Sequence, residues 1–418
     1  MRRVIPSPKF LFASLDEFRP SLKGRVVTVL ASAALAITTA AIAAPSLDVA
    51  MGKRLFERNW ISAPSSTKSD DGLGPLYDAT SCASCHALNP KATSDQESLP
   101  PGLVLRLGNG RGETDAVYGA QLQTRGVAGQ VPEASPEIGW SDKDGLRVLS
   151  VKPAKLGYGP LHRDTRISPR RAPPLNGIGL LSRVPDSEIL KNADSEDANH
   201  DGVAGHVPWI MKDGKRTLGR FGWKAASPDL PSQIAAAFSR DIGLSTKLRS
   251  DAWGDCTVAE RACRAGPHGA ESGQPEVPDA LFDLIAGYVA SLPAPQPPKA
   301  APGEKLFAAT GCEACHKTLH LADGTPVRAY TDLLLHDMGA DLGDAIEEGP
   351  GEPWFWRTAP LWDVATSLRL GGLLHDGRAR DVAEAIEWHE GEALSARGRF
   401  RALPASDRAA LVAFVSGL

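Results

Sequence analysis

The chain has 418 residues, of which 42% are hydrophobic and 23% charged, as in an ordinary globular protein of two or three domains. Its 46 Lys and Arg and 50 Asp and Glu give a net charge of −4, which disfavours a nucleic-acid-binding protein. Glycine (41) and proline (33) are frequent, so long irregular segments are expected.

The first 43 residues have the pattern of a secretory signal peptide. Six basic residues lead into an Ala-rich apolar run over residues 26–43, which ends in Ala-Ile-Ala. We predict export to the periplasm and cleavage near Ala43. The alternative is an uncleaved membrane anchor, because the run is almost long enough to span a bilayer. Cleavage would leave a net charge of −8, which favours a cationic small protein partner.

A repeat organises the rest of the chain. Residues 52–56 (Gly-Lys-Arg-Leu-Phe) match residues 303–307 (Gly-Glu-Lys-Leu-Phe), and each precedes a Cys-x-x-Cys-His motif. Each unit also ends in an amphipathic segment, one over residues 281–292 and the other over residues 411–418. We predict that the first and last helices of each unit cross.

The two Cys-x-x-Cys-His motifs are typical of covalent haem attachment. Thiols three residues apart lie on one side of a helical turn, so each can form a thioether to one vinyl group of the same porphyrin. The following His can then bind the iron. A redox Cys pair or half of a zinc site would not explain a His after both motifs. The predicted residues of the two haem c groups are Cys82, Cys85, His86, Cys312, Cys315 and His316.

Helices that flank a haem motif in this way are the plan of a small cytochrome c domain. The predicted fold is therefore mainly α, with two tandem cytochrome c-like domains. The first, residues 48–292, carries large loop-rich insertions, because residues 100–275 show no long periodic stretch. We expect loops, short helices and a few small strands in this stretch. A stiff Pro-rich linker over residues 293–302 leads to a compact second domain, residues 303–418.

The two remaining cysteines, Cys256 and Cys263, stand in one short segment and predict a disulfide. With four cysteines used by the motifs, no thiol is left over, which argues against thiol-based catalysis.

Residues 197–202, Asp-Ala-Asn-His-Asp-Gly, have the alternating oxygen ligands and the glycine of a calcium loop. The Glu expected at position twelve is replaced by Pro208. We consider a calcium site at Asp197, Asn199 and Asp201, with a plain Asx-rich turn as the alternative.

Two groups of motifs resemble known dihaem proteins. Residues 356–362 (Trp-Arg-Thr-Ala-Pro-Leu-Trp) and 373–378 (Leu-Leu-His-Asp-Gly-Arg) resemble the second domain of bacterial dihaem cytochrome c peroxidases. Residues 330–339 and 219–225 more closely resemble the dihaem oxidoreductase family of putative peroxidases, also labelled thiol oxidoreductases. The resemblance extends from about residue 50 to the C-terminus. It adds weight to the calcium site, since dihaem peroxidases carry a structural calcium.

The resemblance also implies a sixth ligand for the second, electron-transfer haem. In the peroxidases this ligand is a Met, fourteen residues after the His of a His-Asp/Asn-Gly motif; here that position, counted from His375, is His389. Relatives with His or Tyr there include rubber oxygenases and the maturation enzyme of the tryptophan-derived quinone. We expect His389 to bind this iron. Met338 is the main alternative, and His336 and His375 are further candidates. A bis-His haem would be a weaker oxidant than a Met-ligated one.

The first haem is the catalytic one by the same resemblance. The peroxidases place a Gln and a Glu about ten residues apart on its distal side, and the corresponding residues here are Gln121 and Glu133, twelve apart. Glu137 and His162 are reserve candidates. Trp223 could relay electrons between the haems, or it could be an ordinary core residue.

These observations predict a periplasmic dihaem enzyme that reduces hydrogen peroxide. Electrons would enter at the second haem from a small cytochrome or copper protein. One alternative is a non-enzymatic electron carrier, which would show no high-spin haem. Another is an oxidase or oxygenase of an organic or protein substrate.

Overall fold

The computed structural model describes residues 46–67, 70–86, 99–100, 102–271, 273–297 and 302–418. The predicted signal peptide and residues 298–301 of the predicted linker lie outside this set. Among the described helices, none has the length and apolarity needed to cross a membrane.

Most helices of the described chain are short, and the longest lie at the ends of the two repeats. A π-helical turn, Phe238–Ile242, follows the fifth helix, and two 3-10 turns cover Cys312–Ala314 and Gly391–Ala393. The helices are α1 (Leu47–Glu57), α2 (Cys82–Cys85), α3 (Ile178–Arg183), α4 (Asp186–Leu190), α5 (Leu230–Ala237), α6 (Arg261–Arg264), α7 (Asp279–Ser291), α8 (Pro302–Ala309), α9 (Val364–Leu370), α10 (Val382–Glu387), α11 (Leu394–Ala402) and α12 (Ala405–Ser416).

The strands of the described chain form seven two-stranded sheets: β1–β2, which is parallel, and the antiparallel pairs β3–β5, β4–β8, β6–β7, β9–β10, β11–β12 and β13–β14. The strands are β1 (Ile61–Ser62), β2 (Asp71–Leu73), β3 (Leu76–Tyr77), β4 (Leu103–Gly108), β5 (Arg125–Gly126), β6 (Glu137–Lys143), β7 (Leu146–Lys152), β8 (Arg166–Arg171), β9 (Trp209–Lys212), β10 (Lys215–Leu218), β11 (Leu319–His320), β12 (Pro326–Val327), β13 (Leu335–Asp337) and β14 (Phe355–Arg357).

The prediction of a mainly α fold built from two cytochrome c-like domains is wrong. Only 29% of the described residues are helical, and 19% lie in strands. The strands come largely from the stretch that was interpreted as loop-rich. Two Lys-Asp-Gly sequences, at residues 143–145 and 212–214, each turn a hairpin, β6–β7 and β9–β10. Asp and Gly have positive φ in both turns, as a type I′ turn requires.

Both predicted helix crossings are present. Gly52 of α1 packs so closely on α7 that an added Cβ would lie 2.1 Å from the Leu284 carbonyl oxygen. Gly303 of α8 packs on α12 in the same way, 2.2 Å from the Ala410 carbonyl oxygen. The glycine of each repeat therefore permits the close approach of its helices.

Contacts between the two halves of the chain are extensive. His206 and Leu335 exchange backbone hydrogen bonds of 2.8 and 3.0 Å. Arg147, on β7, donates to the carbonyl oxygens of Gly377 and Arg378 at 2.7 and 2.9 Å. The boundaries predicted for two haem domains remain a prediction.

Candidate functional site

Both Cys-x-x-Cys-His motifs face a single cavity of about 1290 Å³. Pockets for one small ligand typically measure about 300–1,000 Å³, so this cavity is larger than one such ligand requires. Its wall includes both cysteines and the His of each motif, together with Gln121, Trp223 and His389.

A capped helical turn shapes the first motif. The Ser81 hydroxyl oxygen accepts a hydrogen bond from the Ser84 amide at 3.2 Å, which starts α2 with its two cysteines. His86 follows, and its Nδ1 donates to the Pro173 carbonyl oxygen at 2.9 Å. This bond selects the tautomer whose Nε2 carries a free lone pair, which is the form that binds a metal.

The second motif has a different turn but holds its His in the same way. Gly311 has a φ of +83°, and a Cβ there would lie 2.1 Å from an Arg399 guanidinium nitrogen. The 3-10 turn that follows carries the cysteines. The His316 Nδ1 donates to the Tyr330 carbonyl oxygen at 2.8 Å, which again frees Nε2. Both histidines are therefore prepared to bind iron from one side.

The thiols of the first motif are poorly suited to thiolate chemistry. Burial, reinforced by the nearby Asp241 carboxylate, raises the pKa of Cys82 to about 12 and also raises the pKa of Cys85. Burial raises the pKa of Cys312 as well. A thioether carries no charge and tolerates such surroundings, so the cysteines fit covalent haem attachment better than redox chemistry.

His389 lies just after α10, which Asp381 caps by accepting the Glu384 amide at 2.8 Å. Its Nδ1 donates to the Ala385 carbonyl oxygen at 2.7 Å, so its Nε2 is also free. Burial, with a smaller effect of His389, lowers the pKa of His316 to about 4, and both rings lie on the cavity wall. Each ring therefore presents a free Nε2 to the cavity, as residues that would hold one iron require.

His336 is arranged differently, and both of its ring nitrogens are occupied. Nε2 lies 3.0 Å from an Asp332 carboxylate oxygen, and Nδ1 lies 2.6 Å from a Glu392 oxygen. Although burial opposes its charge, these hydrogen bonds hold the pKa of His336 well above its usual range. A doubly protonated imidazole has no lone pair for iron.

The other candidates also lie on the cavity wall. Met338 lines it and remains an alternative to His389. His375 is buried and stacks on Trp356, with ring centroids 3.9 Å apart. Trp223 is half-buried and donates to the Arg171 carbonyl oxygen at 2.9 Å. Its role as a relay remains a prediction.

Gln121 belongs to a buried polar group beside the first motif. Its Nε2 donates to Asp78 and to Asp241, each at 2.9 Å. Burial raises the pKa of Asp78 to about 7, and burial also raises the pKa of Asp241. Asp241 lies on the cavity wall within the π-helical turn, a distortion that is frequent at functional sites.

Glu133 lies away from the cavity wall. Its carboxylate accepts the Gln123 amide at 2.6 Å and is paired with Glu260; burial and this second carboxyl hold its pKa well above its usual range. The reserve candidates Glu137 and His162 are exposed and also lie away from the cavity wall. A catalytic role for Glu133 remains a prediction.

The Cys256–Cys263 pair is joined by a disulfide, with its Cα atoms 6.3 Å apart. Asp255, the residue before it, accepts the backbone amides of Ala120 and Gln121 at 3.0 and 3.1 Å. The disulfide-bonded segment therefore helps to position Gln121.

The predicted calcium loop forms a self-contained turn. The Asp197 carboxylate accepts the amides of Asp201 and Gly202 at 3.0 and 3.2 Å. The Asn199 side-chain oxygen accepts the Asp201 amide at 2.9 Å. Calcium binding remains a prediction.

Sequence reasoning missed Asp78 and Asp241. Neither belongs to a recognisable motif, and they meet at Gln121 only through the tertiary fold. The change from α5 to a π-helical turn also has no signal in the sequence.

A family model described as "Di-haem oxidoreductase, putative peroxidase" matches residues 150–418, which is more than half of the chain. The matched region contains the second motif but not the first. A search of curated proteins finds no match.

Proposed function

This chain belongs to the di-haem oxidoreductase, putative peroxidase family, and from that premise we propose that it reduces hydrogen peroxide with electrons from a small redox protein. The observation that carries the proposal is the single cavity that both motifs line. In each motif a backbone carbonyl orients the His toward metal binding. The two haems of the family would be attached covalently, through Cys82 and Cys85 in the first motif and through the matching pair in the second.

The reaction takes two electrons and two protons for each peroxide and yields two water molecules. Bound haem supplies the electron chemistry, with iron that changes its charge by one electron at a time. The chain holds the two groups in one cavity, so electrons that enter at the second motif need no second protein to reach the first. His316 and His389 would hold the iron at the second motif, and Met338 is the alternative to His389.

Proton delivery is assigned to the polar group around Gln121. Asp241 lies on the cavity wall with a raised pKa, so it can hold a proton and give it to a peroxide oxygen. Gln121 fixes the position of this carboxyl by donating to it. Asp78, whose pKa is raised to about 7, can keep a second proton nearby at neutral pH. Because Glu133 lies away from the cavity, Asp241 takes the acid-base role in this proposal.

Several wider properties belong to the same proposal. The acidic balance of the chain fits a cationic cytochrome or copper protein as electron donor. The disulfide and covalent haem attachment fit export to the periplasm. Calcium at Asp197, Asn199 and Asp201 would be structural.

Two measurements test the proposal. The denatured mature protein should have the mass of its polypeptide plus two haems. The loaded enzyme should consume peroxide in steady state with a reduced donor cytochrome, two donor molecules per peroxide. A protein with two haems and no turnover, with both irons low-spin, would instead be an electron carrier. A protein with fewer than two haems would contradict the whole assignment.

A further inference from the structure

The wall of the haem cavity has a positive charge, although the chain as a whole is acidic. Among the described residues, ten Lys and Arg and six Asp and Glu line the cavity, whereas the full chain has a net charge of −4. A low-dielectric cavity with an excess of positive charge attracts anions. The cavity is therefore complementary to an anionic ligand as well as to the apolar porphyrin.

Part of this charge is already compensated by the protein. Arg170 lies 2.5 Å from an Asp344 carboxylate oxygen, and Arg106 lies 3.1 Å from a Glu348 oxygen. Lys224 also reaches Asp344, at 3.2 Å. The charges of these three cations are thus balanced by direct ion pairs.

Arg240 has no such direct ion pair among the described residues, although the Asp255 and Glu348 carboxylates act on its charge from a greater distance. Its side chain makes no hydrogen bond or ion pair with any residue that the structure describes, and its Nε is buried without an acceptor. The charge of Arg106, followed by burial, lowers the pKa of Arg240 to about 10. Arg240 lines the cavity. It lies beside the first motif, since the next residue in the chain, Asp241, interacts electrostatically with His86.

Arg357 is the corresponding cation beside the second motif. Its guanidinium donates only to carbonyl oxygens, those of Gly222 at 2.9 Å and Thr358 at 3.2 Å. Within the described chain it has no ion pair, and burial lowers its pKa to about 10. The Thr358 carbonyl oxygen also accepts a hydrogen bond from the Thr331 hydroxyl at 2.7 Å. The residue before Thr331 is Tyr330, whose carbonyl oxygen accepts from His316. These contacts connect Arg357 to the second motif.

We propose that Arg240 and Arg357 bind haem propionates, Arg240 those of the first haem and Arg357 those of the second. A guanidinium can hold a carboxylate through two parallel hydrogen bonds, and it remains charged when partly buried. A carboxylate at each position would give a direct ion pair to a cation that has none with the described residues, since Asp255, Glu348 and Asp332 act on these arginines only from beyond ion-pair distance. The inference rests on the proposed haem sites, but not on peroxide turnover.

Each arginine should also adjust the potential of its own haem. A neutralised propionate repels the additional electron of ferrous haem less than a free propionate does. In the two-haem protein, Arg240→Gln should lower the ratio of ferrous to ferric iron at equilibrium tenfold or more for one haem. That change corresponds to a reduction potential lower by about 59 mV for a one-electron couple. Arg357→Gln should lower that of the other haem. The Arg163→Gln control removes the same charge from an exposed site, and it should leave both potentials unchanged.

Redox titration followed by optical spectra decides the matter, because it does not depend on catalysis. The proposal is overturned if the two variants shift the same haem, or if neither shifts a potential beyond the control. If a Gln variant loses haem, the Lys variant at the same position is measured instead. That Lys variant must load two haems with wild-type potentials, because Lys keeps the positive charge. A lowered potential in the Lys variant would also refute the proposal. Acetate must leave the wild-type potentials unchanged; an acetate shift that Arg240→Gln abolishes would indicate a free carboxylate site instead. Peroxide turnover, measured separately, tests the proposed function.

Discussion

The glycines at the two helix crossings should be among the positions least tolerant of change. Replacing Gly52 with Ala would put a methyl carbon 2.1 Å from the Leu284 carbonyl oxygen, and Gly303→Ala would put one 2.2 Å from the Ala410 carbonyl oxygen. Van der Waals contact needs about 3.5 Å, and the obstructing atom is backbone. The helices must therefore separate.

The magnitude follows from two opposing effects. Ala in a helix interior gains about 1 kcal/mol over Gly. Overpacking of a core typically costs about 1–3 kcal/mol, and a contact that side-chain rotation cannot relieve belongs at or beyond the upper end. We expect each substitution to destabilise the protein by about 2 kcal/mol. Gly287 supplies a matched control, since it lies in α7 with no atom within 4 Å of an added Cβ. Gly287→Ala should stabilise by about 0.5–1 kcal/mol.

Denaturant unfolding of the haem-loaded variants measures these differences. The effect should extend to the site, because Phe56 and Phe307, one turn after each glycine, line the cavity. Gly303→Ala should therefore disturb the spectrum of the second haem more than that of the first, and Gly52→Ala should do the reverse. If either variant were as stable as Gly287→Ala, the close helix contact would not be required.

Three further predictions concern the haem surroundings. His389→Ala should convert the second haem from low to high spin with both haems still attached, whereas Met338→Ala should leave it low-spin; the opposite result in optical spectra would make Met338 the ligand. Asp241→Asn should reduce the kcat for peroxide by about 10²–10⁴-fold at unchanged haem content, and a rate within twofold of wild type would exclude it as the acid. Glu133 ionises at a higher pH when folded than when unfolded, so its contribution to stability falls as pH rises from about 4.5 toward the raised pKa. In denaturant titrations, Glu133→Gln should therefore lose less stability than the wild type between pH 5 and pH 8. An equal loss in the two proteins would show that the pair with Glu260 does not titrate in this range.

The features that could be predicted from the sequence are local ones. The amphipathic segments over residues 281–292 and 411–418 became α7 and α12, because apolar spacing records which side of a helix is buried. Two short-range signals were not used: the Asp-Gly pairs at residues 144–145 and 213–214 indicate type I′ hairpins, but in this region only loops, short helices and a few small strands were expected, without positions.

The polar group around Gln121 could not have been predicted in the same way. It depends on contacts between residues far apart in the chain, such as Asp78 with Gln121 and Gln121 with Asp241. No spacing rule reports such contacts. The position of Glu133 illustrates the same limit, because it follows Gln121 closely in the chain yet pairs with Glu260 outside the cavity wall.

The strands that overturn the mainly α prediction also explain how two similar motifs acquire different surroundings. Gln121 forms an isolated bridge with Arg106 of β4, and its amide is held by Asp255 beside the disulfide. These contacts come from the long segment inserted after the first motif. The shorter second half has no matching insertion, and it places His389 near His316 instead. In the proposed function, the first haem would therefore lie beside an acid-base group and the second would take a further ligand from the protein, which is the division of labour that a peroxidase with a separate electron-entry haem requires.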